Sequence, residues 1–226
     1  MSAIAAFGAG GDEPYSVLLA GGGQGRLELR KVGETSTTIR LDATEWRAPA
    51  SAVDIGVLEG LAGPLLDVGC GPGRMVRAAE ARGVAALGID ISTDAAAHAA
   101  ADGSPILRRS VFDRLPLEGS WASVLLMDGN IGIGGAPSAL LRRCAELIAP
   151  GGVIVVEVDD DPDLDDSATY TVVGDEGRES GAFPWARVGS AALVRIAEGC
   201  GLTLGDAWAA GGRRFVLLRR NAAPAQ

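Results

Sequence analysis

"LLDVGCGPGRM", residues 65–75, sets three glycines within five positions directly behind an apolar run. Leu65–Val68 reads as a short buried strand, and Arg74 to Arg82 as the helix it feeds, stopped at Gly83. A strand-to-helix turn carrying Gly69, Gly71 and Gly73 tolerates positive φ and has no Cβ atoms, so a ligand can lie against its backbone. The free N–H groups and positive dipole end of the helix point at the same spot.

Working outward, strand and helix patterns alternate. "AALGID" is a second strand, and Ser92 caps the Ala-rich helix that runs to Gly103. "PILRRSVF" is a third strand, and "WASVLLMD" a fourth, apolar on consecutive residues as a strand covered on both faces should be. Pro137 opens the helix "PSALLRRCAELIA", Pro150-Gly151-Gly152 closes it, and "VIVVEV" is a fifth strand. After the helix "SAALVRIAEGC", "LTLGDAW" and "RRFVLLRR" pair through Gly211-Gly212. This order predicts an α/β fold: a Rossmann-like seven-stranded, mostly parallel sheet with an antiparallel C-terminal strand pair and helices on both faces. Ligands in such sheets bind beyond the carboxyl ends of the strands.

Residues 1–61 form an N-terminal segment with a loose start. A small hairpin follows in "RLELRKVGETSTTIRLDATEW", then a capping helix with Val53, Val57, Leu58 and Leu61 at helical spacing. Residues 62–220 form the main domain, with a polar-tipped hairpin inserted near 168–184.

The chain has 226 residues and a formal net charge of −9, 29 acidic residues against 20 basic ones. Nucleic-acid binders usually carry a basic face, and the arginine pairs here are scattered, so no nucleic acid is expected as partner. Cys70, Cys144 and Cys200 are odd in number and widely spaced, which suggests neither a disulfide framework nor a thiolate metal site. No apolar run approaches the ~20 residues of a membrane span, and "MSAIAAFGAGG" lacks the features of a secretory signal. A soluble cytoplasmic protein is expected, with a homodimer as an allowed assembly. The arginine-, alanine- and glycine-rich composition suits a GC-rich bacterial genome.

Glycine-rich turns serve several ligands, and the details decide. A nicotinamide fingerprint is G-x-G-x-x-G, whereas Gly69-Cys70-Gly71-Pro72-Gly73 brings the third glycine one position early. No G-K-[ST] follows, so this is no P-loop. Asp67, inside the first strand, would repel a pyrophosphate and suits a ligand carrying an ammonium and a sulfonium.

"LDVGCGPGR" resembles the first signature of the class I S-adenosylmethionine-dependent methyltransferases, small-molecule type. "ALGID", "SVFDRLP", "LLMDGNIGIGG" and "LLRRCAELIAPGGVIVVEV" extend the resemblance in order over about 62–220. It implies an enzyme using S-adenosyl-L-methionine, with S-adenosyl-L-homocysteine as product. By the resemblance, Asp67, Gly69, Cys70, Gly71 and Gly73 contact the cofactor, and Asp90 takes the ribose hydroxyls. Ile91 and the Phe112 backbone meet the adenine, Asp113 accepts from its amino group, and Asp128 or Gly129 touches the methionine part.

Methyl transfer needs alignment of a nucleophile and, for some acceptors, a base. Asp128, Asn130, Glu157 and Asp159 stand at the ends of strands four and five, with Asp128 and Glu157 the candidate bases. His98, the only histidine, sits mid-helix away from that place. "DDDPDLDD" fails the calcium-loop template, with Asp166 and Val172 where glycine and glutamate are needed, so no metal is expected. Trp46, Phe183 and Trp185 beside prolines suggest a pocket wall for an organic acceptor, together with Asn130. Arg47 and Arg187 suit a carboxylate, that of the acceptor or, for Arg47, that of the cofactor. The expected function is methyl transfer to oxygen, nitrogen or carbon of a small molecule. The alternatives are a nicotinamide-dependent oxidoreductase on the same sheet and a non-catalytic cofactor-binding module.

Overall fold

In a computed structural model describing residues 6–8, 14–20, 25–34, 38–175 and 177–220, the chain begins with helix α1 (Pro14–Ala20). Strands β1 (Arg26–Lys31) and β2 (Thr38–Asp42) pair antiparallel behind it. Residues 35–37 at the tip of that hairpin, and 13 of the first 23 residues, read as a loose start, lie outside the described residues, whereas Pro14–Ala20 of that stretch is helical. Helices α2 (Ala43–Arg47) and α3 (Ala52–Leu58) follow. Ser51 starts α3 through a capping box: its Oγ accepts the Asp54 N–H at 3.2 Å, and the Asp54 carboxylate accepts the Ser51 N–H at 2.8 Å.

Strand and helix then alternate through β3 (Leu65–Val68), α4 (Arg74–Glu80), β4 (Ala86–Asp90), α5 (Thr93–Ala101), β5 (Ile106–Arg108) and β6 (Trp121–Leu126). A 3-10 segment (Asn130–Gly135), α6 (Pro137–Leu147) and β7 (Ile148–Val158) come next. The chain ends with β8 (Asp165–Gly174), β9 (Phe183–Val188), α7 (Ser190–Glu198), β10 (Leu202–Ala210) and β11 (Arg213–Arg220).

Seven strands form the expected sheet in the order β10-β11-β7-β6-β3-β4-β5. β3 to β7 run parallel, and β11 runs antiparallel to both its neighbours. The chain lays strands to one side of β3 and then returns to lay β6 on the other. The crevice beyond the carboxyl ends of β3 and β6 is thus the switch point where ligands settle. Both faces of the sheet are covered, which is why all four residues of β3 are buried. Leu66 and Val68 face a core shared with Leu140, Leu141, Cys144 and Leu147 of α6 and Leu193 of α7. Leu65 faces the other side, with Val57 and Leu58 of α3 and Met75 and Ala79 of α4.

A second sheet was not legible as such. The hairpin expected near 168–184 is longer, Asp165–Val188, and β8 pairs with β1, giving the order β2-β1-β8-β9. An isolated hairpin is marginal in water, whereas four strands with one apolar face sustain each other. Leu27, Leu29, Tyr170, Val172 and Phe183 form that face, packed with Tyr15 and Leu19 of α1. The second sheet and α1 lie over the switch point. Among the described residues no helix is long and apolar enough to cross a membrane.

Candidate active site

The turn after β3 is built by main-chain bonds. The Gly69 and Cys70 N–H groups both donate to the Ile89 carbonyl, at 2.8 and 3.1 Å. Asp90 braces it from β4: one carboxylate oxygen accepts the Gly71 N–H at 2.9 Å, the other the Ser92 N–H at 2.8 Å. The glycines turn out to serve the protein's own contacts as well as a ligand. A Cβ on Gly69 would lie 2.7 Å from the Asn130 amide, which donates to the Val68 and Gly69 carbonyls at 2.9 Å each. Gly73 caps α4 in the left-handed region at φ +89, and a Cβ there would lie 2.8 Å from Ile106.

Above this turn lies a cavity of about 700 Å³. Its floor comes from the seven-stranded sheet: Asp67, Gly69, Cys70 and Gly71 after β3, Asp90 and Ile91 after β4, Phe112 beyond β5, and Asp128, Gly129, Asn130 and Glu157 after β6 and in β7. Its roof comes from α1, α2 and the second sheet, including Trp46, Trp185 and Arg187. Fifteen of the positions singled out in the sequence, Asp159 among them, therefore share one cavity.

Four do not reach it. Gly73 faces Ile106 instead. Asp113, expected on the adenine, accepts the Ser110 N–H at 3.2 Å while its own N–H donates to the Ser110 carbonyl at 3.1 Å, closing the turn that leaves Ser110, Val111 and Phe112 on the wall. Arg47 reaches the Leu19 carbonyl at 3.5 Å. Phe183 is 1% exposed and packs edge-on behind Trp185 at 6.1 Å. His98 likewise sits off the wall, with Nε2 3.0 Å from the Leu19 carbonyl.

Sequence reading missed an ion network under the floor. Arg74, 6% exposed, pairs with Asp54 and with Asp128 at 2.6 Å. Arg213 of β11 bonds Asp54 at 2.7 Å and Asp128 at 3.2 Å, and grips Glu157 through two bonds of 2.7 and 2.6 Å. Glu157 also accepts the Asp128 N–H at 2.7 Å. Asp128 and Glu157 are thus engaged by guanidinium groups. Burial pushes the Asp128 carboxyl up, against the opposing charge of Arg74. Burial alone would raise Asp54 too, but bonds from Arg213, Ser51 and Arg74 hold it at about 2. An arginine in the first turn of a helix runs against the helix dipole, and that was the available signal for Arg74.

Asp67 is different. It is 2% exposed, faces the cavity, and takes no hydrogen bond from any described residue. Burial, reinforced by the Asp128 charge, pushes it up to about 7. A buried carboxylate without a partner on a cavity wall fits a cationic group on the ligand.

A family model described as a methyltransferase domain matches residues 47–189, well over half the chain. The chain belongs to the methyltransferase-domain family. No curated protein matches this methyltransferase. Solved structures do. A SAM-dependent methyltransferase from Bacteroides fragilis in complex with S-adenosyl-L-homocysteine is 17% identical, with a TM-score of 0.73 over 92% of this chain and 93% of that one. The 1,6-didemethyltoxoflavin-N1-methyltransferase of Burkholderia thailandensis is 18% identical, at 0.56 over 75% and 77%. The sugar N-methyltransferase KedS8 from a Streptoalloteichus species is 16% identical, at 0.55 over 85% and 99%. At these identities the likeness shows the fold of the methyltransferase.

Proposed function

We propose that this methyltransferase moves the methyl group of S-adenosyl-L-methionine to a small organic acceptor and releases S-adenosyl-L-homocysteine. The observation that carries this reading is the pairing of an unpartnered, buried Asp67 with Asp90 across a glycine turn, at the switch point of the sheet. The cofactor supplies a sulfonium-activated methyl group, and the protein's task is placement. Asp67 offers its free carboxylate to the ammonium end, and Asp90 holds the turn with one face while facing the ribose site. Ile91, Val111 and Phe112 provide the apolar slot for the purine, and no carboxylate stands there once Asp113 is folded into its turn.

Asp128 and Glu157 position rather than deprotonate, since each is tied to Arg213 and Asp128 also to Arg74. Asn130 fixes the turn by bridging to its carbonyls. Trp46, Trp185 and Arg187 border the acceptor. The proposal includes a bacterial cytoplasmic setting, supported by three free cysteines and an arginine-rich composition. A small molecule, rather than a nucleic acid, agrees with the net charge of −9.

Calorimetric titration with S-adenosyl-L-homocysteine, followed by transfer of a labelled methyl group from S-adenosyl-L-methionine, tests the reading. Saturable binding and label in a small acceptor support it. Failure to bind either compound, with NADH bound in their place, overturns it.

A further inference from the structure

The cavity has a charged floor and an aromatic roof. Phe7, Tyr15, Trp46 and Trp185 all line it. Phe7 stands at the centre, its ring 5.1 Å from Tyr15, 6.4 Å from Trp46 and 5.7 Å from Trp185, at interplanar angles of 41°, 86° and 47°. None of these contacts is a face-to-face stack, and Phe7, Trp46 and Trp185 each keep part of their surface on the cavity. Trp185 is seated at the carboxyl end of β6 because Gly132 has no side chain: a Cβ there would lie 2.5 Å from the indole. The rings therefore stand where an acceptor must sit.

The charged groups on the walls are six carboxylates (Glu45, Asp67, Asp90, Asp128, Glu157, Asp159) and four guanidiniums (Arg74, Arg109, Arg187, Arg213). Asp67 and Asp90 are the pair given to the cofactor above, so the surplus left to the acceptor comes from Asp54, which makes the network three carboxylates (Asp54, Asp128, Glu157) to two guanidiniums (Arg74, Arg213). Arg187 is held by Asp159 at 2.5 Å, and Arg74 and Arg213 are taken up by the network, which Asp54 joins from below. Nor does a base stand free for the acceptor: Asp67, held at about 7, is taken by the cofactor's ammonium in the reading above, and Glu45 is an exposed residue of α2. Asp128, Glu157 and Asp159 are ion-paired, and Asp90 accepts two main-chain N–H groups. Burial keeps the Tyr15 hydroxyl and the Cys70 thiol protonated, and His98 is elsewhere.

We infer that the acceptor is an amine, methylated on nitrogen, with the resulting substituted ammonium held between carboxylate floor and aromatic roof. This rests on the methyl-transfer reading above. The nitrogen lone pair of the neutral amine forms the new N–C bond while the C–S bond breaks and its electron pair passes to sulfur. Positive charge moves from sulfur to nitrogen, and the ammonium proton is lost afterwards to water. One positive charge is present throughout, so a cavity with excess negative charge stabilises both ends of the reaction. An alcohol or phenol would need a base, and an oxyanion would enter an already anionic space. Aromatic faces add cation–π attraction for an alkylated ammonium.

The test uses protein loaded with S-adenosyl-L-homocysteine and two probes of equal shape, choline and its uncharged isostere 3,3-dimethylbutan-1-ol, titrated by calorimetry. Choline is expected to bind about tenfold more tightly. Trp46→Leu and Trp185→Leu should each cut that preference to about threefold or less, with S-adenosyl-L-homocysteine affinity kept as proof of folding. Equal affinity for the two probes overturns the inference. So does labelled-methyl transfer to benzyl alcohol or benzoate in preference to benzylamine, whereas preference for benzylamine supports it. Loss of S-adenosyl-L-homocysteine binding in the unaltered protein would instead sink the methyl-transfer reading, and this inference with it.

Discussion

A carboxylate at position 67, buried and without a hydrogen-bond donor, opposes folding in its charged form. Asp67 is held above its ordinary value, so the folded chain binds that proton more tightly than the unfolded chain. Its contribution to stability therefore falls as pH rises from about 4 to about 7. Arg74 opposes this shift, while Asp128, Asp90 and Asp54 reinforce the burial. Binding of a cationic ligand should draw the proton off. S-adenosyl-L-homocysteine is expected to bind more tightly at pH 8 than at pH 6 and to release a proton at pH 6 to 7. Calorimetry in two buffers of different ionisation enthalpy measures that release; Asp67→Asn should abolish it, and an unaltered protein with equal apparent enthalpies would contradict it. Asp90 is a second anchor. Asp90→Ala removes the acceptor for the Gly71 and Ser92 N–H groups as well as the proposed ribose contact, and should weaken the same ligand about 10- to 100-fold. That both line the cavity was legible in the sequence, because an acid at a strand end beside glycines stands at the switch point of the sheet. Asp113 lies off the cavity wall, because an acid in a polar turn serves its own backbone just as well.

Elements of the parallel sheet were legible because continuous apolar runs and glycine or proline stops leave few alternatives, as in β6 and α6. The second sheet was not. Local alternation marks β1 and β8 as strands, but nothing local says that Leu29 lies opposite Val172. The glycines of the 3-10 segment were silent for a similar reason: Gly132 and Gly135 are small so that β9 can approach. Gly132→Ala should push Trp185 and Ala186 away, lowering acceptor turnover severalfold while S-adenosyl-L-homocysteine affinity is retained; steady-state kinetics beside calorimetry separates the two. The ion network binds α3, α4, β6, β7 and β11 into one block. Asp54 is fully buried, so Asp54→Ala leaves Arg74 and Arg213 undercompensated. A loss of about 3–5 kcal/mol is expected, roughly 10 °C in melting temperature for a chain of this size. With Asp54 held at about 2, below its unfolded value, its stabilisation is complete above about pH 4 and lost as pH falls towards 2. A thermal melt series between pH 6 and pH 2.5 should show that slope in the native chain and a shallower one in the variant.

At the scale of the whole molecule, two sheets divide the work. The seven-stranded sheet supplies the turn and the carboxylates, and the four-stranded sheet with α1 and α2 supplies the aromatic roof. Chain segments far apart in sequence meet in and under the cavity: Phe7 touches Trp185 in the roof, and Arg213 touches Asp54 beneath the floor. That is why the floor, gathered in consecutive strand ends, was readable in one dimension while the roof was read only as scattered aromatics. The most direct measurement is a parallel calorimetric titration of the purified protein with S-adenosyl-L-homocysteine and with NADH, repeated on Asp67→Asn. Saturable binding of S-adenosyl-L-homocysteine alone, weakened in the variant, is the expected result; binding of NADH with no response to S-adenosyl-L-homocysteine would contradict the assignment of the cavity.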